Sequence, residues 1–431
     1  MPSLLVYGPV VTARLRYILD FLFNGSYNIT DSLEDFKYYS GAKICYTKEK
    51  LNIDCYWIEA TELLFENNIQ QQNIIITYWQ DLPIFFSGKG DLPFDILAAS
   101  FYFITRYEEY LPHDKDQYGR YAETNGLAFR EQFLHLPLVD LWLQELNKIL
   151  KKRYADYNPV KTKYRYRPTF DIDIPFAFLH KPLYIQAGAF LKNILHRKTE
   201  TLRQQVATWR GKMQDPFDTF TYLNTQMQQY GWQPTFFFPV AKKHGAFDKN
   251  PAQSNTAFQR LIQQEAELFN IGIHPSWQSG DDNTLLRQEK QYLETISNKK
   301  ITKSRQHYLR MTIPETYDKL IALGIQEDFT MGYGNANGFR ASTSRPFYWF
   351  DLRKNEKTEL RIHPFCWMDA TAYHHQKDSA EKVLADLNYF SQVIHNVGGQ
   401  MITVMHNNYH AAIYPYTAYR KSMATFWSEN R

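Results

Sequence analysis

The sequence predicts an α/β protein, with a parallel sheet from about residue 165 onward and a smaller α/β domain in front of it. Two observations lead there. Short apolar runs alternate with stretches of helical period through the back two-thirds, and charged residues gather at the carboxyl ends of those runs. The length of 431 residues suits two or three domains, and 44% hydrophobic with 16% aromatic residues supplies a packed core and excludes a disordered chain.

In the front domain, residues 1–150, LLVYG, KICYT and IIITYW read as strands, and ILAASFYFITRYEEYL and LVDLWLQELNKILKKRY as amphipathic helices. The polar, glycine-containing HDKDQYGRYAETNG between those helices reads as an exposed loop. Residues 151–167 carry seven basic side chains and one Asp and read as a linker. The second domain, 168–431, opens on the strand RPTFDID and continues through PTFFFPV, LFNIGIHPS, ITKSRQHYL, EDFTMGY, ELRIHPF and QMITVMHNN. Helical stretches near 215–230, 255–268, 285–297, 314–323 and 378–396 separate most of these strands. Residues 181–213 interrupt the rhythm with an extra basic helix. It reads as a solvated face or, more sharply, as a surface contacting an anionic membrane or glycan.

Charge is divided unevenly. Residues 1–150 hold 12 basic and 20 acidic side chains, the remainder 37 and 25. The halves can dock on each other, or the basic half can face an anionic partner, but no nucleic-acid motif accompanies it and no nucleic acid is expected. Cys45, Cys55 and Cys366 form no CxxC pair, which favours a reducing, cytoplasmic setting, with a Cys45–Cys55 pair left open. The first residues lack the basic start of a signal peptide, and no run of about 18 apolar residues offers a transmembrane segment. Oligomeric state is not legible.

Chemistry concentrates at strand ends. Asp171 and Asp173, two apart on a strand, share a face, and two such carboxylates repel unless a cation or a proton lies between them. A divalent metal answers that requirement, with one acid as ligand and the other as base; paired helix caps, or a salt bridge to Arg167 or Arg305, are the structural alternatives. His274 closes the third strand, Arg305 and His307 alternate on the fourth, and His406 closes the last. In GYGNANGFR, Arg340 is available to an anionic group, although the segment also reads as a turn. Trp367 and Asp369 suit a sugar pocket, as does Trp277 just after His274.

Taken in order, these segments resemble the polysaccharide deacetylase (NodB-homology) family of carbohydrate esterases. Thr169-Phe170-Asp171-Ile172-Asp173 is similar to its TFDD-type motif with one residue inserted between the acids. His274 matches the first of two metal-binding histidines, Gln278 stands at the second, Arg305-Gln306-His307-Tyr308 echoes an Arg-Pro-Pro-Tyr turn, and His406 matches the final histidine. RYEEYLPHDKDQYGRY, DPFDTF, HPSWQS and PFCWMDAT resemble a bacterial branch in which an uncharacterised N-terminal domain precedes the deacetylase-like one. The resemblance implies a distorted or partial (β/α) barrel and metal-assisted hydrolysis of an N-acetyl amide on a carbohydrate of the cell surface. It implies Asp171 as general base, Asp173 and His274 as ligands to a divalent metal such as zinc, Arg305 as the holder of the base, and His406 as general acid.

Catalytic zinc usually takes three protein ligands. His307, at the end of a strand expected beside that of His274, is the residue expected to replace Gln278. Two other readings stay open: an allantoinase-like amide hydrolase, and a catalytically silent carbohydrate-binding protein.

Overall fold

The computed structural model describes residues 4–242 and 245–430. The front region builds a four-stranded parallel sheet from β1 (Leu4–Tyr7), β2 (Asn28–Thr30), β3 (Ala42–Thr47) and β4 (Tyr56–Glu59) in the order β2-β1-β3-β4. A small hairpin, β5 (Thr77–Trp79) and β6 (Leu82–Ile84), follows. Helix Ile96–Ile104 is buried along its whole length, started by Asp95, whose carboxylate accepts from the Leu97 and Ala98 amides.

The rest of the chain builds nine strands: β7 (Arg165–Asp171), β8 (Thr235–Phe238), β9 (Asn270–Ile273), β10 (Lys303–Ser304), β11 (Glu327–Asp328), β12 (Phe347–Asp351), β13 (Glu356–Ile362), β14 (Trp367–Met368) and β15 (Gln400–His406). Their order is β12-β13-β11-β10-β9-β8-β7-β15-β14, all neighbours parallel except the β12–β13 pair. The last long strand returns beside the first, but among the described residues the outer strands β12 and β14 do not pair with each other, so the sheet stays open. Each expected strand from residue 168 onward is present, and two that the pattern missed, β12 and β14, lie at the edges. Helices Phe220–Gln229, Thr256–Leu268, Asn283–Ser297, Glu315–Ala322 and Ala380–Val397 occupy the expected stretches.

Parallel strands buried on both faces explain runs such as the wholly buried Thr235–Phe238. Their register brings the carboxyl ends level: His406 lies opposite Asp171, Asp171 opposite Phe237, and Ile273 opposite both Phe238 and Ser304. Backbone bonds run one residue further, from the His274 amide to the Phe238 carbonyl and from the Arg305 amide to the Ile273 carbonyl. The residues after each strand therefore emerge on one rim.

The front and back regions share one hydrophobic core, which runs from Leu4 and Leu97 through Phe170 and Phe350 to Trp427. Buried polar bonds cross between them. The Arg340 fork donates to both oxygens of Glu109 at 2.9 and 2.7 Å, and Asp140 accepts from the Ser344 amide and from the Thr343 and Ser344 hydroxyls. Of the basic stretch 151–167, the first three residues end helix Leu138–Arg153 and the last three lie in β7. All three cysteines are buried free thiols.

Candidate active site

Six of the residues singled out by sequence meet at the sheet's carboxyl rim. Asp171, at the end of β7, is buried and accepts from Arg305 Nη1 at 2.8 Å. Arg305 is fully enclosed, with its remaining donors bonded to Thr169 Oγ1 (2.8 Å) and the Phe329 carbonyl (3.0 Å) and its guanidinium over the Phe237 ring. A planar fork fixed on all sides holds one carboxylate oxygen of Asp171 in place and leaves the other toward the cleft.

Asp173 comes within 3.4 Å of His274 Nε2 and 3.6 Å of His307 Nε2. The tautomer of His274 is set from behind: its Nδ1 lies 2.6 Å from the Arg305 carbonyl, which can only accept, so Nδ1 carries the proton and Nε2 presents a lone pair to Asp173. Two acceptors then face one another, and Asp173 Oδ1 has no hydrogen-bond partner among the described residues. His307 is supported in the same way, its Nδ1 3.0 Å from Asp248 Oδ1. The ligand atoms of Asp173, His274 and His307 all lie within 4.8 Å of one another. An orphaned carboxylate oxygen, a bare imidazole nitrogen and rings oriented by a carbonyl and a carboxylate fit a divalent cation of the zinc type. Burial alone would raise the Asp173 carboxyl, but the opposing effects, led by the charge of His307, hold it well below the usual carboxylate range. Burial likewise opposes charge on His307, yet Asp173 and Asp248 push it up to about 9. Positive charge is favoured between these acids.

His406, opposite Asp171 on β15, sends Nδ1 to Asp369 Oδ1 at 2.6 Å, and its own amide donates to Asp369 Oδ2 at 2.6 Å. Its Nε2 stands 3.6 Å from Asp173. Burial would favour the neutral ring, but Asp369 and then Asp173 and Asp171 raise it to about 10, so it carries a proton at neutral pH.

Several sequence expectations are corrected here. His307 does not reach the site by alternating with Arg305 on a strand. The strand ends at Ser304, and His307 opens a tight turn with left-handed Tyr308 (φ 57) and Leu309 (φ 53). Arg340 is buried, its guanidinium taken up by Glu109 and the Gly332 carbonyl in the interior. Trp367 is wholly buried beside Tyr419, and Asp369 is enclosed behind His406, so neither lines a sugar pocket. Trp277 packs on the Phe247 ring at 4.0 Å, close to Tyr118 and Tyr308 of the cleft wall, and Arg310 covers it. Gln278 lines a different cavity, with Ser276 and Glu289.

Sequence reasoning missed Asp248 and the contribution of the front region. Asp248 lies in the loop after β8, a carboxyl-end loop like the others, but no neighbouring pattern marks it. The segment taken for a free loop folds over the cleft instead: Tyr118 and Arg120 line it beside Tyr308, His374 and Tyr409. Arg120 is anchored there by Asp116 and by the Tyr308 carbonyl at 2.8 Å. A Tyr–Gly–Arg–Tyr run in a loop was the available signal.

A family of unknown function, DUF7033, matches residues 4–155. No curated protein matches the chain by sequence. Among solved structures, the chain is similar to a Mycobacterium smegmatis protein provisionally described as a polysaccharide deacetylase, at 15% identity and a TM-score of 0.40 over 63% of this chain and 85% of the other. It is similar to a Bacillus cereus polysaccharide deacetylase at 13% identity and a TM-score of 0.30, over 62% and 88%. A Bacillus anthracis CE4 family pseudoenzyme aligns at 10% identity and a TM-score of 0.31, over 64% and 66%.

Proposed function

We propose that this protein is a metal-dependent hydrolase that removes N-acetyl groups from a carbohydrate, in surface polysaccharide metabolism. The observation that carries the reading is the convergence, in one open cleft, of three differently prepared groups. They are an acid clamped by arginine, an Asp–His–His set with its ligand atoms turned toward one another, and a protonated histidine backed by a buried aspartate.

Asp173, His274 and His307 would hold a divalent cation, zinc by ligand type, which when bound polarises a carbonyl oxygen and acidifies water. Asp171, fixed by Arg305, takes the proton from the attacking water. His406, its Nδ1–H engaged by Asp369, presents Nε2–H to the leaving amine nitrogen and donates as the C–N bond breaks. The aromatic faces of Tyr118, Tyr308 and Tyr409 along the cleft suit a pyranose ring. His307 would supply the third ligand that Gln278 cannot, and this favours a working hydrolase over a silent binder.

The test is acetate release from N-acetylated oligosaccharides by the full chain, with cyclic and linear amides as competitors and metal content measured in parallel. Hydrolysis of the small amides alone would move the assignment to the allantoinase-like chemistry. Sugar binding without metal or turnover would leave a carbohydrate-binding protein. His307→Ala is expected to lower metal occupancy as far as His274→Ala does, and full occupancy in His307→Ala would remove it from the ligand set.

A further inference from the structure

The segment 181–212 folds as two helices, Leu183–Leu195 and Thr199–Trp209, and the first is amphipathic the wrong way round. Every residue of Leu183–Leu195 is at least partly exposed. Its inner face, which meets the second helix, carries Gln186, Phe190 and Asn193, and Asn193 Nδ2 donates to the buried Gln205 at 3.3 Å. Its outer face presents Tyr184, Leu191 and Leu195 at helical spacing, 76%, 60% and 81% exposed, with Leu183 beside them at 83%. A helix docked only on its own protein buries its apolar residues; this one meets its neighbour through Phe190 on Trp209 and the Asn193–Gln205 bond, and turns a second apolar stripe to solvent.

Charge indicates what covers that stripe. The two-helix segment carries Lys181, Lys192, Arg197, Lys198, Arg203, Arg210 and Lys212, with Glu200 its single acid. A twofold contact with a second copy would set these cations against their own images. An anionic bilayer takes both features at once, its acyl region the leucines and its headgroups the flanking bases.

We infer that the helix pair 183–209 docks the protein on an anionic membrane surface, with Tyr184, Leu191 and Leu195 entering the interface. Docking itself is independent of the chemistry in the cleft. Its consequence rests on the hydrolase reading: a groove between Tyr184, Ile185 and the Asp248 loop is bordered by Ile174, which also borders the catalytic cleft, so a lipid-anchored glycan would enter from the membrane side.

Flotation of the full chain with phosphatidylcholine vesicles, with and without phosphatidylglycerol, tests this. The chain floats with the anionic vesicles only, and added salt releases it. The double variant Leu191→Ser, Leu195→Ser binds at least about ten-fold more weakly, from lost apolar burial. Reversing Lys192, Arg197 and Lys198 to Glu weakens binding by at least about a hundred-fold, at about five-fold per basic residue. These side chains are exposed, so folding is retained, as near-native circular dichroism confirms. Asp171→Asn floats as the native chain does, which separates docking from the hydrolase reading. Failure to float with anionic vesicles at low salt, unchanged flotation of the leucine variant, or a dimer dissolved by that variant without vesicle binding would each overturn the inference.

Discussion

Asp171 and Asp173 lie two residues apart and have opposite surroundings. Arginine holds the first, and two imidazoles face the second. The pair therefore separates under mutation. Asp171→Asn keeps the metal and loses about 10²–10⁴ in turnover, the usual size of a general-base effect, while Asp173→Asn loses the metal itself. Elemental analysis beside initial rates checks both, and equal metal loss in the two variants would refute the division of labour. Asp248 makes the subtler case. It serves His307 from behind, and its carboxylate also accepts from the Trp277 amide at 2.9 Å. Asp248→Asn is expected to weaken metal affinity about 10–100-fold, the usual effect of losing a ligand's supporting partner. Competition with a chelator of known affinity measures it.

At the scale of the element, the proposed metal site depends on strands close enough for their ends to bring Asp173, His274 and His307 together. Gly272, in the middle of β9, is where that closeness is set: a Cβ there would lie 2.5 Å from the Phe237 ring and 3.0 Å from the Lys303 carbonyl. Gly272→Ala must push β8 or β10 aside at a cost of about 1–3 kcal/mol, and it displaces His274 two residues on. A lowered unfolding midpoint together with weakened metal binding is the expected result. Loss of stability with intact metal affinity would show that β9 positions nothing. Element identity was legible from pattern, since β8 is apolar throughout and β15 is a β-branched and methionine-rich run. The fourth strand was read as longer than it is because Arg305 and His307 mimic strand alternation, while a turn places them.

For the whole molecule, the front region and the catalytic sheet act as one body. Burial alone would raise the Glu109 carboxyl, but Arg340 and then Arg106 more than reverse this and lower it to about 2. A folded value below the ordinary 4.5 means that ionised Glu109 stabilises the fold above about pH 4.5, and that this stability, on the order of 3 kcal/mol, is lost as pH falls toward 2. Glu109→Gln is expected to cost about 3–5 kcal/mol at neutral pH, because buried Arg340 loses its carboxylate and Arg106 keeps only Glu108, and to flatten that acid limb. Urea titrations across pH measure both. A chain beginning near residue 160 would expose the shared core and leave Arg340, Thr343 and Ser344 unpaired, so it is expected to be insoluble where the sequence pattern alone suggests a detachable domain.

The sequence by itself determined the α/β class, the parallel inner strands and the gathering of Asp171, Asp173, His274, Arg305 and His406 at strand ends, because buried parallel strands are apolar throughout and their polar residues sit where they end. Tertiary structure decided what depends on contacts distant in sequence. Asp369 lies behind His406 because β14 pairs with β15, and Arg340 lies inside because Glu109, 231 residues earlier, neutralises it. Tyr118 and Arg120 reach the cleft across a core that no local pattern reports. A side chain's own environment sets its periodicity, but its partner is set by the packing of elements far apart along the chain, and for these residues the partner fixed the role.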